Sequence, residues 1–232
     1  MNFATNALER VDLGPLLAGA IDKAVERRWA RAIDTAAAAP CSTVDERVAA
    51  LTDAFARELA ATGAVAGGTA AVPGIGTATA VASNAGEIGW FALRVSDLIL
   101  AIAAVHGHTT ASVEQRRAWL LSILAFGGDA SSEFASVAAT ITRSGLGAKA
   151  TEVVSSEWLG TINRTIAKTL LKRWGARRSA IVLGRLLPFG IGAAIGGTTN
   201  FGAVRMIARN ADDFFRRAPR ELVIELPPVA GR

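Results

Sequence analysis

The 232-residue chain has no tyrosine, one cysteine, two histidines and seven prolines, and aromatic residues make up only 6% of it. Each scarcity excludes something. A lone Cys41 rules out an intrachain disulfide and any zinc site built on paired cysteines, and leaves an inert thiol. With aromatic residues scarce and alanine supplying roughly a fifth of the chain, the composition favours close-packed helices over a sandwich of β-branched strands. The composition therefore predicts an all-α fold. Mean hydropathy is +0.34, above an ordinary soluble domain and below a chain made of spanning helices, which points to the surface of a membrane. The start, "MNFATNALERVDLGPLL", lacks the basic opening and unbroken apolar core of a secretory signal, so the expected location is the cytoplasm.

What is present is helical periodicity with clear punctuation. A first helix is predicted from Leu13 to Ala38, with Leu17, Ile21, Val25 and Ile33 on one side and Pro40 ending it. The capping box "TVDE" (Thr43 to Glu46) opens a second, whose stripe is Val44, Val48, Leu51, Phe55 and Leu59, loosening at Gly63. A long helix is expected over 77–105 and a loop over 106–111. "SVEQ" (Ser112 to Gln115) opens a helix that ends at "FGGD". Shorter helices are expected over 131–142, 148–156 and 159–174, and 220–232 reads as a tail. The simplest organisation is one domain from Met1 to about Pro219.

Two stretches stand apart. From Leu59 to Gly86 no residue is charged, and "LPFGIGAAIGGTTNFG" near the C-terminus resembles "VPGIGTATAVASNAGE" within that run. At a constant offset of 116, Gly74, Gly76, Asn84, Gly86, Ala92 and Asp97 meet Gly190, Gly192, Asn200, Gly202, Ala208 and Asp213, with Pro73 and Pro188 just ahead. This pattern predicts a duplication with halves at about 43–105 and 159–218, each folding back at a Pro-Gly turn: Pro73, Gly74 and Gly76 in one, Pro188, Gly190 and Gly192 in the other. Small residues four apart, Gly63 with Gly67 and Gly192 with Gly196, suit closely approaching backbones. A 13-residue arm rises only about 20 Å, short of the roughly 30 Å hydrocarbon core. A spanning hairpin is thus disfavoured, leaving a hairpin buried in protein or a re-entrant insertion in lipid.

At these residues the chain resembles the EcsC family of bacterial proteins, named from a gene beside those of an ABC transporter. The likeness extends through "LRVSDLILAIAAVHG" and the charged helix after it. The family carries no established activity; what the resemblance implies is an accessory role at the inner face of the membrane. Where members commonly show a Tyr-Gly-Asp-like loop, this chain has "HGHT", with His106 in place of the aromatic residue.

Chemistry-bearing motifs are sparse. "GAVAGGT" has the glycines of a P-loop, but Thr69 stands at the lysine position. "GIGAAIG" is one residue too long for a dinucleotide fingerprint and sits in a helical pattern. No serine lies in a GxSxG elbow, and His106 with His108 supply two ligands where a metal site wants three or four. No cofactor and no metal are expected. On the long helix Glu87, Arg94 and Asp97 share one face opposite Ile88, Ala92, Val95 and Ile99, and Arg94 can pair with Asp97. They are either a structural ion pair or, with Asp213 from the repeat, the lining of a polar cleft in a helical enzyme of unknown reaction.

Charge gives the strongest partner signal. From Trp158 to Ala211 there is no acidic residue. Arg164, Lys168 and Lys172 recur every fourth position, followed by Arg173, Arg177 and Arg178, while Ile162, Ile166 and Leu170 recur on another side of the helix. A basic amphipathic helix beside a neutral hairpin suits an anionic membrane surface, or a membrane protein such as a transporter. Nucleic acid is the competing partner, favoured by a pI near 10.3 and by no reading motif.

Overall fold

The structure, a computed structural model, describes residues 13–70, 77–141, 156–175 and 196–218, with side chains described for 18–62, 89–141, 159–169 and 201–218. Every regular element among them is helical: α1 (Leu13–Arg27), α2 (Trp29–Ala37), α3 (Val44–Ala70), α4 (Thr77–Val105), α5 (Val113–Phe126), a 3₁₀ turn (Gly127–Asp129), α6 (Ala130–Ile141), α7 (Ser156–Gly175) and α8 (Gly196–Arg217). The all-α expectation holds.

The bundle is organised around α4, which packs against α1, α2, α3, α5 and α8. Its sequence accounts for this, because "LILAIA" is apolar on every side and such a helix is stable only when surrounded. Leu98 through Ala103 are wholly buried. Asp97 and Ser96 are buried there as well. Alanines at positions 24, 56, 101, 103 and 211, all fully buried, let the helix axes approach.

α3 and α8 form the largest helix pair and run antiparallel: Asp45 at the start of α3 meets Arg216 at the end of α8, and Asp53 meets Arg205 further along. Val48, Leu51 and Phe55 from α3 and Val204, Ala208 and Phe215 from α8 are all buried in the common core. Val44, expected in that stripe, is 39% exposed because the first turn of α3 stands outside the core. α3 also continues through Gly63 to Ala70.

Both capping boxes form. The Thr43 hydroxyl accepts from the Glu46 amide at 3.3 Å while Glu46 accepts from the Thr43 amide at 3.2 Å, and Ser112 with Gln115 does the same at the head of α5. At the far end of α5, Gly127 takes φ +60°, a conformation L side chains rarely adopt, and an added Cβ would meet the Asn210 amide at 3.3 Å.

The single first helix is broken in two. Arg28, at φ −117° and ψ 4°, turns the chain between α1 and α2. The cause is tertiary: the Val25 carbonyl accepts Nε and Nη2 of Arg116, and Arg28 points its own guanidinium at Asp97. α7 begins at Ser156, three residues before the expected start. The helix expected over 148–156 lies almost wholly outside the described residues, as do the two Pro-Gly turns and the tail.

Candidate functional site

The neutral run of α3 begins just beyond Glu58, and the antiparallel α3–α4 pair sets that carboxylate opposite Arg94. Arg94 donates Nε to Glu58 Oε1 at 2.9 Å and Nη2 to Oε2 at 2.5 Å, with its guanidinium carbon 4.6 Å from the centre of the Phe55 ring. Its Nη1 reaches Asp97 Oδ2 at 2.7 Å, the i,i+3 contact expected from the sequence. Asp97 also receives Arg28, Nε at 2.7 Å and Nη2 at 2.5 Å. The result is a closed set of two cations and two anions from three segments. Burial works against the Arg94 charge, but its hydrogen bonds to Glu58 and Asp97 outweigh that and hold the guanidinium above arginine's ordinary pKa. Both Asp97 oxygens accept from guanidinium groups, so the arrangement ties helices together.

Of the residues read as a polar cleft, Arg94 and Asp97 come together. Asp213 is half-buried on α8, and the ion pairs there belong to its neighbour Asp212. The Glu87 side chain lies outside the described residues. Arg28 and Glu58 were not singled out from the sequence, yet each contributes a full bidentate pair.

A second cluster joins the end of α4 to α8 and α3. His106 Nε2 lies 2.7 Å from Asp212 Oδ1, Asp212 accepts Arg216 Nε at 3.0 Å, and Arg216 continues to Asp45. The Arg216 hydrogen bond holds the Asp45 carboxyl below its ordinary range. His108 is buried edge-on to Trp119, ring centres 5.3 Å apart, and both rings pack on Phe215. Among the described residues no group of three or more His, Cys, Asp or Glu side chains is placed to hold a metal ion.

The third feature is the basic face of α7. Leu159, Ile162 and Ile166 are buried against α5 and α6, and the Asn163 amide donates to the Glu114 carbonyl at 3.0 Å, locking the helix in rotation. At about 100° per residue, burying Ile162 and Ile166 turns positions 164 and 168 outward, and Arg164 and Lys168 are exposed. Arg164 donates to Thr161 Oγ1 at 2.9 Å, and no carboxylate among the described residues pairs with either cation. Lys172 and Arg173 lie on the same helix with side chains outside the described set; Arg177 and Arg178 lie beyond it.

The chain matches no protein-family model, no curated protein and no solved structure. Among the described residues no helix is long and apolar enough to cross a membrane.

Proposed function

We propose that the protein is a non-enzymatic, peripheral membrane protein that contacts anionic lipid through the basic face of α7, at the inner face of the membrane. One observation carries the reading. α7 is held in place by buried isoleucines while its outward cations Arg164 and Lys168 pair with no carboxylate among the described residues and face solvent, where an anionic surface supplies the counter-charge. Each basic group near an anionic surface is worth about 1 kcal/mol, so the six from Arg164 to Arg178 suffice for reversible attachment. The likeness to the EcsC family supports an accessory role beside a membrane protein such as an ABC transporter, and the offset repeat supports descent of the two Pro-Gly arms from one duplicated hairpin. Helix carried by both α4 and α8 agrees with that descent.

Flotation with vesicles of equal parts phosphatidylglycerol and phosphatidylcholine tests the reading. Binding should fall steeply with salt, and phosphatidylcholine alone should bind poorly. Duplex DNA that strips the protein from vesicles at equal phosphate concentration would transfer the basic face to nucleic acid instead.

A further inference from the structure

The residue that interrupts the N-terminal helix is also the residue that fastens it. Sequence periodicity predicts one helix from Leu13 to Ala38, whereas the structure ends α1 at Arg27 and starts α2 at Trp29. Arg28 donates its amide to the Ala24 carbonyl at 3.2 Å, and its own carbonyl accepts from the Ala32 amide at 2.9 Å. Among the described residues, the bonds a continuous helix would place between these, from Trp29, Ala30 and Arg31 to Val25, Glu26 and Arg27, are not made. Two arginines hold the gap open. Arg116 fills the Val25 carbonyl that the Trp29 amide would otherwise use, with its guanidinium carbon 4.9 Å from the centre of the Trp29 ring, and Arg28 reaches both oxygens of Asp97.

Beyond the joint, α2 is lightly held. It packs chiefly on α4, and what it buries is small: Ala32 and Ala36, with Ala39 just after them, while Trp29 and Ile33 stay half-buried. α1 is better anchored, since it buries Ile21 and Val25 and Arg117 ties Asp22 to α5 at 2.9 Å. Bending at Arg28 gives up the backbone bonds named above and gains one ion pair, the Arg116 bonds to Val25 and the burial of a few methyl groups. A helix poised between arrangements by opposing terms of similar kind is a two-state element. We infer that the α1–α2 joint is a hinge: bent and fastened to Asp97 in one state, and in the other a single straight helix from Leu13 to Ala38 with α2 lifted off α4. Arg94 stays on Asp97 when the joint opens, so the carboxylate keeps a cation. Opening uncovers the side of α4 on which α2 packs. This motion needs no lipid and is independent of the basic face of α7.

Thiol labelling reads the motion. In a Cys41→Ser background, Ala32→Cys and Ala36→Cys each place a thiol on the buried side of α2, and Ala208→Cys places one on the buried side of α8. The thiols at 32 and 36 should react with a disulfide reagent about tenfold or more faster than the thiol at 208, through an opening that low urea barely affects. Arg28→Ala removes two bonds to a charged group, and should speed labelling at 32 and 36 by about tenfold or more while that opening stays insensitive to urea. Arg28→Lys, which keeps a cation beside Asp97, should fall between. Nitroxides on Gly19→Cys, where a Cβ meets nothing within 4 Å, and on the exposed Ala38→Cys then measure the joint by double electron–electron resonance. A continuous helix sets these two Cα atoms about 28 Å apart. Arg28→Ala should add a population at that spacing to the shorter distance of the bent state, with helicity by circular dichroism retained. Equal labelling rates and equal urea dependence at 32, 36 and 208 would mean that α2 comes free only when the whole protein unfolds, and overturn the hinge. Faster labelling at 32 and 36 with no population near the straight-helix spacing would mean that α2 unravels instead, and overturn the straight state.

Discussion

α7 and α8 are both rich in basic residues, and they use them in opposite ways. On α8, Arg205 binds Asp53 and Arg216 binds Asp45 and Asp212, so these cations join helices of the same molecule. On α7, Arg164 and Lys168 face water beside no carboxylate among the described residues. What separates them is the neighbouring helix. α8 lies along α3, which carries Asp45, Asp53 and Glu58, whereas the Leu159–Ile162–Ile166 face of α7 turns its basic side away from its neighbours. Net charge alone does not mark a binding face; the charge left without an internal partner does.

The comparison can be pressed hardest from the buried side. Asp97→Ala would leave Arg28 and Arg94 without their shared anion, at a cost of about 3–5 kcal/mol, measured by urea unfolding. Vesicle binding should survive wherever the variant is folded. Next in size, Lys168→Glu with Lys172→Glu and Arg173→Glu should weaken anionic-vesicle binding by at least about 3 kcal/mol, roughly a hundredfold or more, with stability within about 0.5 kcal/mol of the parent. Unchanged vesicle binding by this triple variant would erase the distinction between the two helices. Arg205→Gln breaks only an exposed pair and should cost under about 1 kcal/mol of stability, with little effect on flotation.

The smallest effect is in acid. Asp45 is held below its ordinary value of 3.8 by the Arg216 hydrogen bond, and Glu46 below 4.5 by the Thr43 backbone. A carboxyl whose folded pKa is depressed contributes stability that is complete above its unfolded pKa and is lost as the pH falls through the folded one. The loss should therefore begin below about pH 5 and deepen below pH 4. Asp45→Asn should flatten that part of a pH series of urea midpoints, and an unaltered slope would show that the Asp45–Arg216 pair contributes nothing in solution.

Local signals were legible in the sequence, and distant partners were not. "TVDE" and "SVEQ" gave their capping boxes because every atom involved lies within four residues. The α7 stripe was legible for the same reason, as Ile162 and Ile166 are both buried. The break at Arg28 was not, since its causes, Asp97 and Arg116, stand far along the chain. Glu58 could have been approached: folding the chain about the expected turn near Pro73 and Gly74 sets position 58 about one helical turn from Arg94. The repeat drew attention to Asp213, while the ion pairs belong to Asp212, and one residue is about 100° of helix rotation. His106 and Asp212 are 106 residues apart, with no pattern to link them.

The α3–α8 pairing also sets the order of events during synthesis. Asp45 waits for a partner 171 residues later and Asp53 for one 152 residues later. Until that late segment leaves the ribosome, Val48, Leu51 and Phe55 have no α8 to cover them, so α3 emerges early with its apolar face bare. During synthesis such a topology passes through an interval in which a chaperone, or a membrane surface, has something to hold. At translation rates of about 5–20 residues per second, that interval lasts on the order of ten seconds or more.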